Sequence, residues 1–91
     1  MKNLEKIFKG LANRRRLSII KLLSTGKEFS VAEISDRIKL SFTSTSKHLR
    51  ILNQLDILDR RQEGLVVYYK LAHPPSQLIK ILISLFSYSR E

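Results

Sequence analysis

The stretch of sequence that decides the fold is residues 30–55, which read SVAEISDRIKLSFTSTSKHLRILNQL. Ser30 followed by Glu33 has the spacing of a capping box, and the apolar residues behind it predict a short helix that runs to about Lys39. Ser41 can cap a second, longer helix that occupies the rest of the stretch. A short helix, a brief break and a longer helix with a polar outer face are typical of a helix-turn-helix.

The longer helix has one apolar side and one polar side at 100° per residue. Its polar side combines short hydroxyl side chains with longer cations. In a major groove, short side chains let the backbone approach the bases, while cations reach guanine edges or phosphates. We therefore predict a DNA-reading helix, with a merely solvated helix face as the alternative. The predicted reading residues are Ser41, Phe42, Thr43, Ser44, Ser46, Lys47 and Arg50.

Two residues of this helix depart from a purely polar reading face. Phe42 either packs back onto the domain, which we favour, or touches a thymine methyl group. His48 points partly inward at helical spacing, so we expect a buried or bridging structural histidine rather than a base contact.

Two helices are predicted before the helix-turn-helix. Residues 4–11 carry apolar residues at helical spacing and form an amphipathic helix that Gly10 ends or loosens. Asn13 is a suitable N-cap for a second helix, which continues until Gly26 stops it. This second helix has a broad apolar surface, and we expect it to be central to the core.

Three consecutive arginines, Arg14, Arg15 and Arg16, occupy the first turn of that second helix. The helix macrodipole disfavours cations at this end by some tenths of a kcal/mol each. Such a cluster is reasonable if it meets phosphates, so we predict phosphate contacts here. Exposed arginines that are tolerated at little cost are the alternative.

A β-hairpin is predicted after the helix-turn-helix. Residues 58–62 and 65–71 flank Glu63-Gly64, and the second run alternates with the period of a half-buried strand. Arg60, Arg61 and Gln62 lie near the hairpin tip, where they can touch a minor groove or its phosphates. An edge strand protected by charge is the alternative, and both can hold.

The last predicted helix begins at Ser76 and is apolar over too wide an arc to face only a small core. The first helix has a similar stripe, so we predict a homodimer formed through both helices, with two reading helices about 34 Å apart. The alternative is a membrane-surface helix, which we disfavour because its only cations are Lys80 and Arg90. The predicted interface residues are Leu4, Ile7, Phe8, Leu11, Leu78, Ile81, Leu82, Leu85 and Phe86.

Composition limits the remaining possibilities. The chain has 91 residues, which suits one domain, residues 1–91, with a modest core. Its formal net charge of +9 predicts a polyanionic partner, either nucleic acid or an anionic membrane surface. The sequence has no cysteine. We see neither a signal peptide nor an apolar stretch near the roughly 20 residues of a spanning helix, so we expect a cytoplasmic protein with no membrane role.

No pattern of catalytic residues stands out in the sequence. There is no Gly-rich phosphate loop and no metal-binding pair of histidines, and neither His48 nor His73 has a carboxylate at catalytic spacing. We therefore predict a protein that is not an enzyme, with no catalytic residues and no cofactor.

Three motifs resemble those of the ArsR-type (arsenic-repressor-like) winged helix-turn-helix regulators, over nearly the whole chain. Residues 11–20, LANRRRLSII, resemble the opening Leu-Ala-Asp-Pro-Thr-Arg-Leu-Arg-Ile-Leu of that family, in which Arg16 matches the family's arginine. Residues 40–52 resemble its recognition helix, and residues 64–71, GLVVYYKL, resemble its wing. The resemblance implies a mainly α-helical fold with a two-stranded wing, in the order α-α-α-α-β-β-α, and a transcriptional repressor.

Metal sensing is not implied for this chain. Metal-sensing members of the family carry Cys pairs in the first helix of the helix-turn-helix, or Asp, His and Glu sets on the last helix. Residues 28–33 read EFSVAE here, and the last helix holds Ser, Lys and apolar residues. We predict no metal site, and the sequence does not name an effector.

The predicted function is that of a dimeric regulator that binds double-stranded DNA and represses transcription by blocking polymerase. Two other classes of function stay open, since a winged helix can also serve as a protein-interaction module or as an RNA-binding domain.

Overall fold

A computed structural model describes residues 3–88 as a mainly helical fold with one small sheet. In chain order the elements are α1 (Leu4–Leu11), α2 (Arg14–Leu23), β1 (Phe29–Ser30), α3 (Val31–Ile38), α4 (Phe42–Gln54), β2 (Leu58–Glu63), β3 (Val66–Leu71) and α5 (Gln77–Phe86). The predicted helix-turn-helix is α3 and α4, and the predicted wing is the β2–β3 hairpin. The helical winged fold is confirmed over this range.

The helices begin where short polar side chains can accept hydrogen bonds from the first free backbone amides. Asn13 Oδ1 accepts from the amides of Arg15 and Arg16 at 3.0 and 3.1 Å. The Ser30–Glu33 capping box is complete, with both reciprocal hydrogen bonds present. The hydroxyl oxygens of Ser41 and Ser76 each accept one hydrogen bond from an amide in the first turn of α4 and α5. Each cap satisfies a donor that the helix cannot satisfy, which is why these helix starts were predictable.

The sheet has three strands, not the predicted two. β1 pairs antiparallel with β3, with Phe29 opposite Tyr69 and Ser30 opposite Tyr68, and the strand order is β1-β3-β2. A two-residue strand is too short to show a period of two, so the sequence pattern could not reveal it. The consequence is that the wing is anchored by its inner strand to the start of α3.

The core lies between α2, α3, α4 and the inner face of the wing. Ile19 and Ile20 of α2 are fully buried, as are Leu49 and Leu52 of α4. Tyr69 brings the wing into the same core and is almost completely buried. The expectation that α2 is central to the core is confirmed, and α4 is held with its polar side outward.

Gly10 lies one residue before the end of α1, close to where the sequence predicted that the helix ends or loosens. The helix continues through Leu11, and Gly10 is buried where α1 crosses the end of α4. A side chain at this position would overlap Leu55 Cδ1. Gly10 therefore allows a close approach between two elements, which local sequence rules do not distinguish from a helix stop.

Candidate nucleic-acid interface

The outer face of α4 carries the residues predicted to read DNA. Ser41, Phe42, Thr43, Lys47 and Arg50 are exposed, and Ser44 and Ser46 are half-buried. The opposite side of the helix, with Thr45, Leu49 and Leu52, is buried in the core. Packing on one side thus leaves hydroxyl and cationic side chains on the other, with short side chains at the N-terminal end of the helix.

A groove separates α4 from the wing, and we call it the wing groove. Its volume is about 440 Å³. Its lining consists of Ser30, Val31, Ala32, Phe42, Ser46, Arg50, Arg60, Leu65, Val66, Val67 and Tyr69. Arg50 lines it from α4 and Arg60 from β2, so two cations face one channel from opposite walls. A polyanionic strand lying in this channel would meet positive charge on both sides.

The register of the hairpin determines which face each wing residue occupies. Arg60 is opposite the buried Tyr69, and Arg61 is opposite Tyr68. Because successive side chains of a strand alternate, Arg60 faces the groove and Arg61 faces the outside of the wing. Gln62 Oε1 accepts a hydrogen bond from Arg60 at 3.2 Å, and Gln62 Nε2 donates to the carbonyl of Gly64 at 3.2 Å. Gln62 therefore braces Arg60 against the hairpin turn.

Arg61 is engaged within the protein. Its guanidinium donates two hydrogen bonds to Glu28, at 3.0 and 2.8 Å, and lies 3.7 Å from Glu63 Oε1. It also stacks over the Tyr68 ring, 4.4 Å from the centroid. These contacts lower the pKa of Glu28, chiefly through the hydrogen bond with Arg61, and raise the pKa of Arg61. Arg61 thus ties the wing to the segment before β1, while its predicted phosphate contact stays a prediction.

The three arginines of α2 are not equivalent. Arg14 is exposed, whereas Arg15 and Arg16 are half-buried. Arg16 Nε donates to the carbonyl of Gly10 at 2.5 Å, and its terminal nitrogen lies 3.0 Å from His48 Nδ1. Arg16 therefore spans from the end of α1 to the middle of α4. A phosphate contact by these arginines stays a prediction. The structure shows that Arg16 also has a partner within the domain.

His48 has the bridging role expected from the sequence. It is half-buried between α4 and α2, and it contacts Arg16. Burial lowers the pKa of the imidazole, and the nearby charges of Arg16 and Arg15 lower the pKa further. Both effects keep His48 neutral near pH 7.

Phe42 does not pack back onto the domain, so the interpretation we favoured from the sequence is wrong. It is 57% exposed and lines the rim of the wing groove. Its position at the first turn of α4 leaves its ring available to a ligand in that groove. The alternative, an apolar contact to a thymine methyl group, stays a prediction.

Leu65 lies outside the strand that the sequence predicted over residues 65–71. It lies in the turn before β3, which begins at Val66, and it is 100% exposed. The period of two applies only inside a strand, so a residue one position outside β3 escapes it. Leu65 and Val66 instead give the tip of the wing an apolar surface beside the groove.

A second exposed surface lies where α1 meets α5, and we call it the terminal face. It consists of the exposed apolar side chains of Leu4, Phe8, Ile81 and Leu85. The other predicted interface residues contact the core of the same chain. Leu11 is buried, and Ile7, Leu78, Leu82 and Phe86 are partly buried against the core. An apolar trough of about 280 Å³ runs between Phe8 and Leu85 on this face.

Neither a metal site nor a membrane span is found within residues 3–88. No three His, Asp or Glu side chains there are grouped as metal ligands. No helix in the same range is both long enough and apolar enough to cross a bilayer. Arg90, the second cation considered for a membrane-surface helix, lies outside the described residues.

Comparison with known sequences places this arrangement among bacterial regulators. A family model described as "Bacterial regulatory protein, arsR family" matches residues 13–60. The cadmium resistance transcriptional regulatory protein CadC homolog of Staphylococcus aureus is 39% identical over 72% of this chain and 54% of its own length. The transcriptional activator HlyU of Vibrio cholerae is 37% identical over 87% of this chain and 69% of its own length. The chain therefore spans about half of the first of these relatives.

Solved structures agree with the fold. The structure of reduced HlyU from Vibrio cholerae matches 93% of this chain and 85% of its own, with 34% identity and a TM-score of 0.77. A solution structure from Mycobacterium bovis, described as a homodimeric winged helix-turn-helix DNA-binding domain of a possible ArsR-family regulator, matches 93% of this chain and 75% of its own. Its identity is 29% and its TM-score is 0.75. The resemblance found in the three sequence motifs is confirmed.

Proposed function

Since the chain belongs to the ArsR family of bacterial regulatory proteins, we propose that it binds a specific double-stranded DNA sequence as a homodimer and represses transcription there. The family and the fold are those of DNA-binding transcriptional regulators rather than of enzymes. A dimer bound across a promoter represses by covering DNA that polymerase must contact.

The observation that carries the proposal is the wing groove. Arg50 and Arg60 line it from opposite walls, and the hydroxyl-rich start of α4 lies beside it. A recognition helix in the major groove leaves a phosphate strand running between that helix and the wing. The wing groove has the charge to receive that strand, and the exposed side chains of Thr43 and Lys47 would then face the bases.

The terminal face supports the homodimer. Phe8 and Leu85 lie on opposite sides of one trough and are each more than half exposed. An isologous pairing of this face would bury apolar side chains that a small monomer leaves in water. It would also place the two reading helices about one turn of DNA apart, so that the dimer matches a DNA site with two-fold symmetry.

Selection of bound sequences from a random duplex pool tests the proposal. We expect an inverted-repeat sequence to be enriched, and its affinity to fall steeply with salt because phosphate contacts release counterions. Fluorescence anisotropy with the selected duplex, a scrambled duplex and an RNA of matched length measures specificity. Equal affinity for all three nucleic acids would overturn a sequence-specific DNA reader, and preference for the RNA would favour the RNA-binding alternative.

The dimer is tested by molar mass in solution. We expect light scattering to give twice the chain mass for the native protein and the single chain mass for the double variant Phe8→Ser with Leu85→Ser. Leu65→Ser removes a still more exposed apolar side chain from the wing and should leave the dimer intact. A native protein that stays monomeric at micromolar concentration would contradict the homodimer.

Repression itself needs a transcription assay. With the selected site placed over a promoter, added protein should reduce transcript, and the monomeric double variant should not. An increase in transcript would make the protein an activator, as the name of HlyU describes that relative.

A further inference from the structure

The contact between Arg16 and His48 fixes the protonation state of the histidine. A guanidinium carries only hydrogen-bond donors, so at 3.0 Å the Nδ1 atom of His48 must be the acceptor. His48 is therefore neutral, with its proton on Nε2. A protonated imidazole has donors at both nitrogens and would turn a hydrogen bond into a repulsive contact between two cations.

The same arginine reaches the helix that carries part of the terminal face. Arg16 Nε donates to the carbonyl of Gly10, near the end of α1. Buried Gly10 in turn packs against Leu55, directly after α4. One side chain thus links α1 to the middle of α4, while the contact of Gly10 with Leu55 fixes the far end of α4. Core packing holds the buried side of α4, and these two contacts connect the helix to α1.

We propose that Arg16 is a positioning residue, which holds the recognition helix against α1 through neutral His48, so that acidification releases the helix and weakens DNA binding. This inference rests on the proposed function. DNA recognition needs hydrogen bonds with donor-acceptor distances of about 3 Å, so a small rotation of α4 is enough to lose them. Arg16 therefore acts on DNA affinity from inside the domain, through the helix that reads the bases.

The charges around His48 determine the direction in which its pKa shifts. The charged groups that act on the imidazole are Arg16 and Arg15, both cations of α2, and its own helix adds Lys47 and Arg50 nearby in sequence. Burial lowers the pKa of His48 below its ordinary value of 6.5, and the charges of Arg16 and Arg15 lower it further. Protonation is therefore unfavourable in the folded domain, and it becomes significant only on the acid side of that value.

Ordinary electrostatics predicts the opposite trend for DNA binding. A protein that gains protons becomes more cationic and should bind a polyanion more tightly. A loss of affinity on acidification therefore distinguishes positioning through His48 from a general charge effect. The sequence has two histidines and no cysteine, so His73 is the control for titration between about pH 7 and pH 5.

The test measures the affinity of the full chain for its selected duplex from about pH 7 to pH 5 at constant ionic strength. We expect native affinity to fall on acidification, by at most about tenfold per pH unit because one proton is linked. His48→Gln keeps a hydrogen-bond acceptor without titrating and should give a flat profile. His73→Gln should keep the native profile, and circular dichroism at each pH verifies that the protein is folded.

Two further variants sharpen the test. Arg16→Lys retains the charge but has a single nitrogen in place of the two separate nitrogens that reach Gly10 and His48, so its affinity should be lower at pH 7 and less dependent on pH. His48→Lys imitates the protonated state and should bind less tightly at pH 7 although it adds a cation. If His48→Gln does not fold, the native profile and its persistence in His73→Gln decide the assignment.

The inference fails if native affinity is constant or rises on acidification, or if His48→Gln keeps the native profile. These results leave the proposed function intact, since the protein still binds its duplex at pH 7. Absence of specific binding at every pH, in contrast, would overturn the proposed function itself.

Discussion

The two faces of the wing carry adjacent arginines of the same strand, and the structure gives the two residues different surroundings. Arg60 faces the wing groove opposite Arg50 of α4, with Gln62 as its neighbour. Arg61 faces outward and is held by Glu28 and Tyr68. Arg60 thus directs its charge to the groove, whereas Arg61 holds the wing in place. The amino-acid composition does not distinguish these two cations. Their positions on opposite faces of β2 and the contact of Arg61 with Glu28 do distinguish them.

The difference has an electrostatic basis. The Arg61 charge is compensated by a carboxylate at hydrogen-bond distance, so little of it remains to attract a phosphate. Glu28 accepts from Nε and one terminal nitrogen of Arg61, so a phosphate near this guanidinium would compete with a carboxylate for it. Arg60 has the neutral amide of Gln62 beside it and keeps its charge directed to the groove. We therefore expect DNA binding to depend on the groove face and wing stability to depend on the outer face.

The largest effect is expected from Arg50→Ala, which removes the groove cation of the recognition helix. Loss of a base-edge or phosphate contact by this arginine should cost about 1 to 3 kcal/mol of binding free energy. Anisotropy titration of the selected duplex measures the loss. Lys27→Ala removes a charge from the segment next to Glu28 and serves as the control, with unchanged affinity expected. Equal losses in both variants would mean that net charge, and not the groove, controls binding.

The pair Arg60→Ala and Arg61→Ala tests the two faces directly. Arg60→Ala should reduce the slope of log affinity against log salt by about one, because one phosphate contact is lost. Arg61→Ala should leave that slope nearly unchanged. Its expected effect is a small decrease in the free energy of unfolding, since the ion pair is exposed to solvent. Urea unfolding measures the second quantity, and an equal change of slope in both variants would contradict the division between the faces.

Glu28→Gln should transfer Arg61 from the outer role to the DNA-binding role. Without its carboxylate the guanidinium keeps its full charge, so we expect a modest gain in DNA affinity and a steeper salt dependence. An unchanged slope would show that Arg61 lies too far from the DNA to contribute. Glu28→Gln should also change how the stability of the fold depends on acid, which thermal unfolding measures separately.

The sign of that acid dependence follows from the pKa of Glu28. The ion pair lowers this pKa from its ordinary 4.5, so the folded state binds the proton less readily than the unfolded chain. Its contribution to stability is present above pH 4.5 and is lost as the pH falls through the lowered value. Thermal unfolding of the native protein and of Glu28→Gln should therefore differ at pH 7, and the two should converge in acid. Parallel curves would contradict a stabilising Arg61–Glu28 pair.

Local signals explain what could be predicted from the sequence. Asn13, Ser30 and Ser41 cap their helices with side chains a few residues away, so their patterns are visible in any short window. The partners of Arg61 and Arg16 are distant in sequence, at separations of 33 and 32 residues. No local rule relates such pairs, because only the folded chain brings them together.

In the candidate site too, some features follow from local sequence patterns and others depend on tertiary packing. The reading residues of α4 follow from helical periodicity, and the structure exposes most of them. The exposure of Phe42 and Leu65 depends on how the wing and α4 leave a groove between them, which is a tertiary property. β1 likewise exists only because β3 offers it an edge. Sequence patterns predicted every element except β1, and packing determined which of their side chains are available to a ligand.

The smallest effect is expected at the ring under Arg61. Tyr68→Leu keeps an apolar side chain but removes the π face at 4.4 Å from the guanidinium, so it should lower the free energy of unfolding slightly. Tyr68→Phe keeps the face and should match the native free energy of unfolding. Neither change should alter DNA affinity, because both act on the outer face. If Tyr68→Leu weakened DNA binding as much as Arg60→Ala, the outer face would have to set the position of the groove wall, and the two faces could no longer be assigned separate roles.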